Sequence, residues 1–207
     1  MRREWKGVLE GLCRPRGPGP QPSFSILHTL KALRALAEAG CLGRASLARE
    51  LGLGEGATRT LLDRLTRAGL VRISRKGCEL TGEGVSLWED IKSDLRWVLG
   101  VPRSALALGE HNVAVLVRGR APRVGSGIEQ RDVAIRAGAK GAVTMLIRGG
   151  KLVIPGISAD ARSDYPSACE LLLRALEPGE GDVLIVCWAD DALSAEYGAL
   201  AAALSLL

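Results

Sequence analysis

The sequence predicts an α+β protein in two parts. The first is all-α apart from a small two-stranded ribbon; the second is a small two-layer α/β domain of about four to five strands and three helices. Three observations point there. From Ile26 to Leu65 apolar residues recur every three or four positions, with glycines at 40, 52, 54 and 69 as stops. Beyond about residue 105 the runs become short and apolar, as in "NVAVLV" and "DVLIVCWA", and alternate with helical stretches. Charge divides the same way: residues 1–103 hold 18 Lys+Arg against 11 Asp+Glu, net +7, and residues 104–207 hold 10 against 12, net −2.

Composition bounds the rest. A chain of 207 residues, 47% apolar and 25% charged, can bury a core as one large domain or two small ones. No uncharged apolar run is long enough to span a bilayer, and "MRREWKGVLEG" lacks the apolar centre of a signal peptide, so a cytoplasmic protein without membrane contact is expected. The five cysteines, at 13, 41, 78, 169 and 187, are odd in number and form no CxxC pair. They are read as reduced thiols, with no disulfide, metal or cofactor.

The elements follow in order. "CRPRGPGPQP" has prolines at 15, 18, 20 and 22, so residues 1–22 form an arm holding at most a short separate helix. A domain over 23–103 begins with a helix carrying Ile26, Leu27, Leu30, Leu33, Leu36 and Ala37 on one side, with His28 at its edge. Ser46–Leu51 is a short helix, "GLG" a tight turn, and Glu55–Ala68 a second helix with an apolar stripe of Thr58, Leu61, Leu62 and Leu65. "LVRISRKGCEL" reads as strand, turn, strand, and Thr81 caps a helix over 82–99 whose stripe is Val85, Trp88, Ile91, Leu95 and Val98. A second domain, 104–207, holds a strand at 113–118, two β runs in "AVTMLIRGGKLVIPG" joined as a hairpin at Gly149-Gly150, and a buried strand in "DVLIVCWA". Its helices are expected over 128–138, 166–176 and from about 192 to the end.

Helix, helix, tight turn, helix and ribbon in this order form a winged helix-turn-helix. Its second short helix must anchor one face in the core so that the other can enter a major groove about 12 Å wide. The stripe supplies the anchor, and Gly56, Thr60, Asp63 and Arg67 occupy the other face, flanked by Arg59 and Arg64. Arg59 and Thr60 are candidates for base edges, and Asp63 for a cytosine amino group or for an ion pair with Arg59 or Arg67. Arg75 and Lys76 stand at the ribbon tip, suited to phosphate or minor-groove contact.

"LARELGLGEGATRTLLDRLTRAGLV" is similar to the helix-turn-helix of prokaryotic winged-helix transcriptional regulators, and "GPGPQPSFS…LGLGEGATRTLL" with "SGIEQRDVAIRAGAKG" carries a narrower resemblance. The chain resembles an archaeal family that pairs an N-terminal winged helix-turn-helix with a C-terminal domain of unknown function, family 4443. The resemblance spans nearly the whole chain. It implies a small α/β C-terminal domain and no settled activity.

"RVGSGIEQRD", at 123–132, has the strand, glycine loop, helix layout of a phosphate cradle, but the third glycine of GxGxxG is absent and no GK[ST] follows. A capping box is expected instead, with Ser126 capping the helix and Glu129 reaching back. A helical wheel places Ile128, Ile135 and Ala139 inside, with Ala134 and Gly138 extending the arc, Arg131 within it and Gln130 at its edge. A cation there calls for an anion, so Gln130 and Arg131 are candidates for a ligand or an interface. The histidines, 28 and 111, lie in different halves, and Asp160, Asp164, Asp190 and Asp191 read as caps rather than catalysts. No nucleophile–base motif is found.

The expectation is a DNA-binding transcriptional regulator and not an enzyme. Its partner is double-stranded DNA, and its C-terminal domain senses a small-molecule or anionic effector or forms a homodimer. Trp97 and Leu87 are the first residues to consider for subunit contact. Two alternatives stand beside it: an enzyme of unknown reaction in the C-terminal domain, or an RNA-binding accessory protein.

Overall fold

A computed structural model of the chain describes residues 4–15, 17 and 21–207. The fold is mixed α+β and divides into two compact units, residues 1–92 and 93–207.

The first unit runs α1 (Trp5–Cys13), α2 (Ile26–Ala39), α3 (Arg44–Leu51), α4 (Glu55–Arg67), β1 (Val71–Ser74), β2 (Gly77–Leu80) and α5 (Gly82–Asp94). Its core gathers Leu30, Leu33 and Leu36 of α2, Leu47 and Leu51 of α3, and Leu61, Leu62 and Leu65 of α4, all within about 1% of full burial. Each such leucine contributes roughly 1.5–3 kcal/mol relative to exposure. The turn between α3 and α4 is set by Gly52, whose φ of 62° lets Leu53 N–H close back on the Ala48 carbonyl at 3.0 Å. Helix α1 is not the separate element expected. It buries Trp5, Leu9 and Leu12 and packs on α2. Apolar spacing within "WKGVLEGLC" carries that burial across the proline-rich segment.

The second unit is built on an antiparallel sheet in the order β3-β4-β7-β5-β6. Its strands are β3 (Leu95–Leu99), β4 (His111–Val117), β5 (Gly141–Arg148), β6 (Lys151–Val153) and β7 (Val183–Ala189). Its helices are α6 (Ile128–Arg136), the short α7 (Ala161–Asp164), α8 (Pro166–Leu176) and α9 (Ala192–Leu204). Strands β4 and β7 are buried almost throughout, because both faces of the sheet are covered. Ala114, Leu116, Met145, Ile147, Leu184 and Val186 meet Cys169, Leu172 and Leu176 of α8 on one face. Helices α6 and α9 pack on the other. The expected two layers are therefore three, with helices on each side of the sheet.

Two further expectations are corrected. The helix over 82–99 ends at Asp94, and its last five residues form β3, paired from Leu95↔Val117 to Leu99↔Val113. In "LRWVLG" an alternating pattern coincides with the helical one, and the open edge of β4 decides for the strand. Thr81 does cap α5, accepting from Gly84 N–H at 3.1 Å. Trp97 and Leu87 are both buried, at 6% and 1% exposure, and Trp97 Nε1 donates to Glu196 Oε1 at 2.9 Å. Neither offers a free surface to a second subunit.

Candidate nucleic-acid interface

Helix α4 divides cleanly. Thr58, Leu61, Leu62 and Leu65 are buried, while Arg59, Thr60, Asp63 and Arg67 are exposed on the opposite side. The start of α4 keeps a smooth profile. Gly54 and Gly56 carry no side chain, and Thr60 folds its hydroxyl back to the Gly56 carbonyl at 3.0 Å. Asp63 accepts from Arg67 Nε at 3.0 Å, one of the two i±4 ion pairs expected of it, so neither presents a lone charge. Arg59 has an open position on the same face.

Beyond α4 lies the ribbon. Arg72↔Glu79 and Ser74↔Gly77 fix its register, and Arg75 and Lys76 form the two-residue turn, both exposed. Ser74 Oγ accepts from Lys76 N–H at 3.1 Å and so tightens the tip. Between helix and ribbon runs an open groove of about 490 Å³, lined by Arg44, Arg59 and Asp63 on one side and Ile73, Arg75 and Lys76 on the other. Cys78 also lines it, but burial pushes its thiol up, so no nucleophilic thiolate faces the groove at neutral pH.

Two departures from the sequence reading stand out. Arg64, expected to flank the exposed face, is buried. It donates to the carbonyls of Leu12 at 2.6 Å and Arg14 at 2.7 Å, and its guanidinium lies 5.2 Å from the Phe24 ring centroid. Arg44 was missed. It is exposed in the first turn of α3 and shares a second depression of about 300 Å³ with Ala45, Glu55 and Arg59. The sequence signal was slight: a basic residue just before "ASLAREL", whose place beside Glu55 and Arg59 comes from the folding of α3 against α4.

In the second unit the opening loop behaves differently from the expectation. The cap of α6 is Gly127 at φ 82°, not Ser126, and a Cβ on it would stand 3.0 Å from that of Thr144. Ser126 Oγ accepts from Ile128 N–H at 3.3 Å, and no capping box forms. The roll of the helix is also corrected. Gln130 and Ala134 face inward, whereas Ile128, Arg131 and Ile135 face out. The cause is the tight seat of α6 on α9, where a Cβ at Gly198 would meet the Ala134 carbonyl at 3.3 Å and Ala139 Cβ at 2.5 Å. Only small residues fit there, so the isoleucines turn away. Arg131 reaches Asp132 Oδ1 at 3.1 Å in solvent. Gln130 Oε1 and Thr144 Oγ1 are both buried without a hydrogen-bond partner.

The aspartates take structural roles. Asp160 accepts from Arg162 N–H, Asp164 from the Ser158 hydroxyl, and Asp191 from Ser194, whose side chain first and N–H second hold the Asp191 carboxyl below its usual range. Asp190 pairs with Lys140 at 2.5 Å. Among the described residues no cluster of three or more His, Cys, Asp or Glu is placed to hold a metal ion, and no helix is long and apolar enough to cross a membrane.

Comparison with known proteins fits this division. No curated protein matches the chain. The chain is similar to the solved structure of hypothetical protein PH0730 from Pyrococcus horikoshii OT3, at 28% identity and a TM-score of 0.71, over 89% of this chain and 93% of that one. Residues 24–95 match the CggR N-terminal DNA binding domain, and residues 108–206 match a domain of unknown function, DUF4443. The two matches together give an arrangement of an N-terminal CggR-type domain followed by a C-terminal DUF4443 domain.

Proposed function

We propose that the chain is a DNA-binding transcriptional regulator whose first unit is a winged helix-turn-helix. One observation carries the reading: the exposed face of α4 and the ribbon tip bring Arg44, Arg59, Arg75 and Lys76 around one open groove. The match of residues 24–95 to a DNA-binding domain supports it, as does the net charge of +7 over residues 1–103. In this reading α4 enters the major groove from its glycine-bearing end. Arg59 reads base edges, and Arg44, Arg75 and Lys76 hold phosphates on either side. Arg67, shared with Asp63, adds a weaker contact, and Thr60 offers its methyl group rather than its hydroxyl. The second unit serves as the dimerisation or effector-sensing part. The test is fluorescence anisotropy of the full chain with random duplex DNA, matched RNA, and the DNA upstream of its own gene. Preference for duplex DNA, tightest on the upstream sequence, is expected. Absence of duplex binding at low salt contradicts the reading, and preference for RNA replaces it.

A further inference from the structure

The groove between α4 and the ribbon is cationic at its rim and apolar along its floor. Leu62 and Cys78 line the floor, at 1% and 2% exposure. Ile73 rises beside them. In the ribbon it stands directly opposite Cys78, so both side chains point to the groove, while Arg72 points to the other face and pairs with Glu79. Ile73 is nevertheless 57% exposed, so more than half of a large aliphatic side chain lies in water next to Arg75 and Lys76. Two polar groups that line the groove are already engaged: Asp63 holds Arg67, and the Ser74 hydroxyl accepts from Lys76 N–H. Thr66 stands one turn beyond Leu62 on α4.

A duplex has few surfaces that suit such a groove. Its phosphates match the rim. Its apolar parts are the thymine methyl groups, inside the major groove, and the C–H faces of the deoxyriboses, along the backbone. The major groove is bounded by two sugar–phosphate strands. With α4 inside that groove and the ribbon tip on phosphates outside it, one strand passes between the two elements. Its phosphates then meet Arg44 and Arg59 on one side and Arg75 and Lys76 on the other, and its sugars lie over Ile73. A 2′-hydroxyl on such a sugar would be pressed against Ile73, Leu62 and Cys78, whose thiol is a weak partner. It would lose its water without gaining a bond.

We infer that Ile73 makes the groove selective for deoxyribose over ribose, an inference that rests on the DNA-binding reading of the first unit. The 2′-hydroxyl is what distinguishes the two nucleic acids at a given position. Ile73 acts on the backbone, without regard to base, and gives the cationic rim a preference for DNA that charge alone does not supply.

The test is fluorescence anisotropy of the full chain on its tightest-binding duplex from the DNA upstream of its own gene. Single ribonucleotides are placed in turn along both strands, so that the different helical shape of RNA does not enter. The parent is expected to bind roughly tenfold more weakly when the ribose lies over Ile73, the loss that a buried unpaired hydroxyl implies. A 2′-fluoro sugar at the same position, which favours the ribose pucker without a hydroxyl, is expected to bind like deoxyribose. Ile73→Ser, which offers the hydroxyl a partner, is expected to keep its affinity for the all-DNA duplex and to shrink the ribose penalty to about threefold or less. Ile73→Val is expected to keep the penalty. No binding to the all-DNA duplex would overturn the DNA-binding reading and this inference with it. DNA binding that tolerates ribose at every position, a 2′-fluoro sugar as harmful as ribose, or a penalty unchanged in Ile73→Ser would each overturn this inference alone.

Discussion

Arg64 donates to the Leu12 carbonyl, fifty-two positions earlier in the chain, at 2.6 Å, and so ties α4 to the end of α1. A cation on the helix that faces the groove is thereby spent on holding the fold together. Its second bond, to the Arg14 carbonyl, and its place beside the Phe24 ring make it the clasp of the N-terminal segment. Arg64→Met, which keeps the stem but removes the donors, leaves those carbonyls unsatisfied at a cost of about 2–3 kcal/mol. Thermal denaturation should show a fall of roughly 5–10 °C in a chain of this size. The dependence of DNA affinity on salt should not change.

Arg44 and Arg59 line the same two depressions but are assigned different tasks. Arg44→Ala is expected to weaken binding to every duplex alike and to reduce the magnitude of the salt slope by about 1. Arg59→Ala is expected to cost about 1–3 kcal/mol on the best site and to relax preference at one base position. A binding titration across single-base variants of the site separates the two. Equal effects on all sequences for both would remove Arg59 from base reading.

His28 gives the first unit a pH dependence. Its Nδ1 accepts the Ser25 N–H at 3.1 Å at the start of α2. Burial, and then the charge of Lys31, hold its pKa below the ordinary value. The neutral ring is therefore the folded form. The unfolded state binds the extra proton first, so this stabilisation is complete above the unfolded pKa of about 6.5 and is lost as pH falls through it towards the lower folded value. Urea titrations at neutral pH and near pH 5 should show the loss. His28→Gln, which keeps a capping acceptor without a titration, should flatten it.

Thr144 and Gln130 share a buried layer between β5 and α6, each with one oxygen unpaired. An unpaired buried hydroxyl is a cost, and valine fills nearly the same shape without it. Thr144→Val is expected to leave the fold intact and to raise stability by about 0.5–1 kcal/mol in chemical denaturation. A loss of more than 1 kcal/mol would show that the hydroxyl has a partner in solution.

Much of the architecture was legible because local chemistry and tertiary packing agree. The glycine pair at 149–150 specifies the hairpin, Pro166 starts α8, and the α4 stripe marks both its buried face and its exposed one. The failures occur where a distant contact outweighs a local pattern. Arg64 has the polarity of a surface residue, and only the approach of α1, across a proline-rich segment, draws it inside. In α6 the wheel put the isoleucines inward beside Ala134 and Ala139; the glycine at 198 brings α9 so close that the alanines and Gln130 keep the inner face and the isoleucines leave it. Leu95–Leu99 fits both periods, and the edge of β4 chose between them.

The most direct test of the DNA-binding assignment is the salt dependence of duplex affinity for the parent chain beside Arg75→Ala, Lys76→Ala. The parent should lose affinity steeply as salt rises. The double variant at the ribbon tip should bind more weakly at low salt, with a log–log slope shallower by about 2, one for each phosphate contact removed. An unchanged slope with unchanged affinity would place the ribbon away from the DNA and contradict the assignment of the groove between α4 and the ribbon.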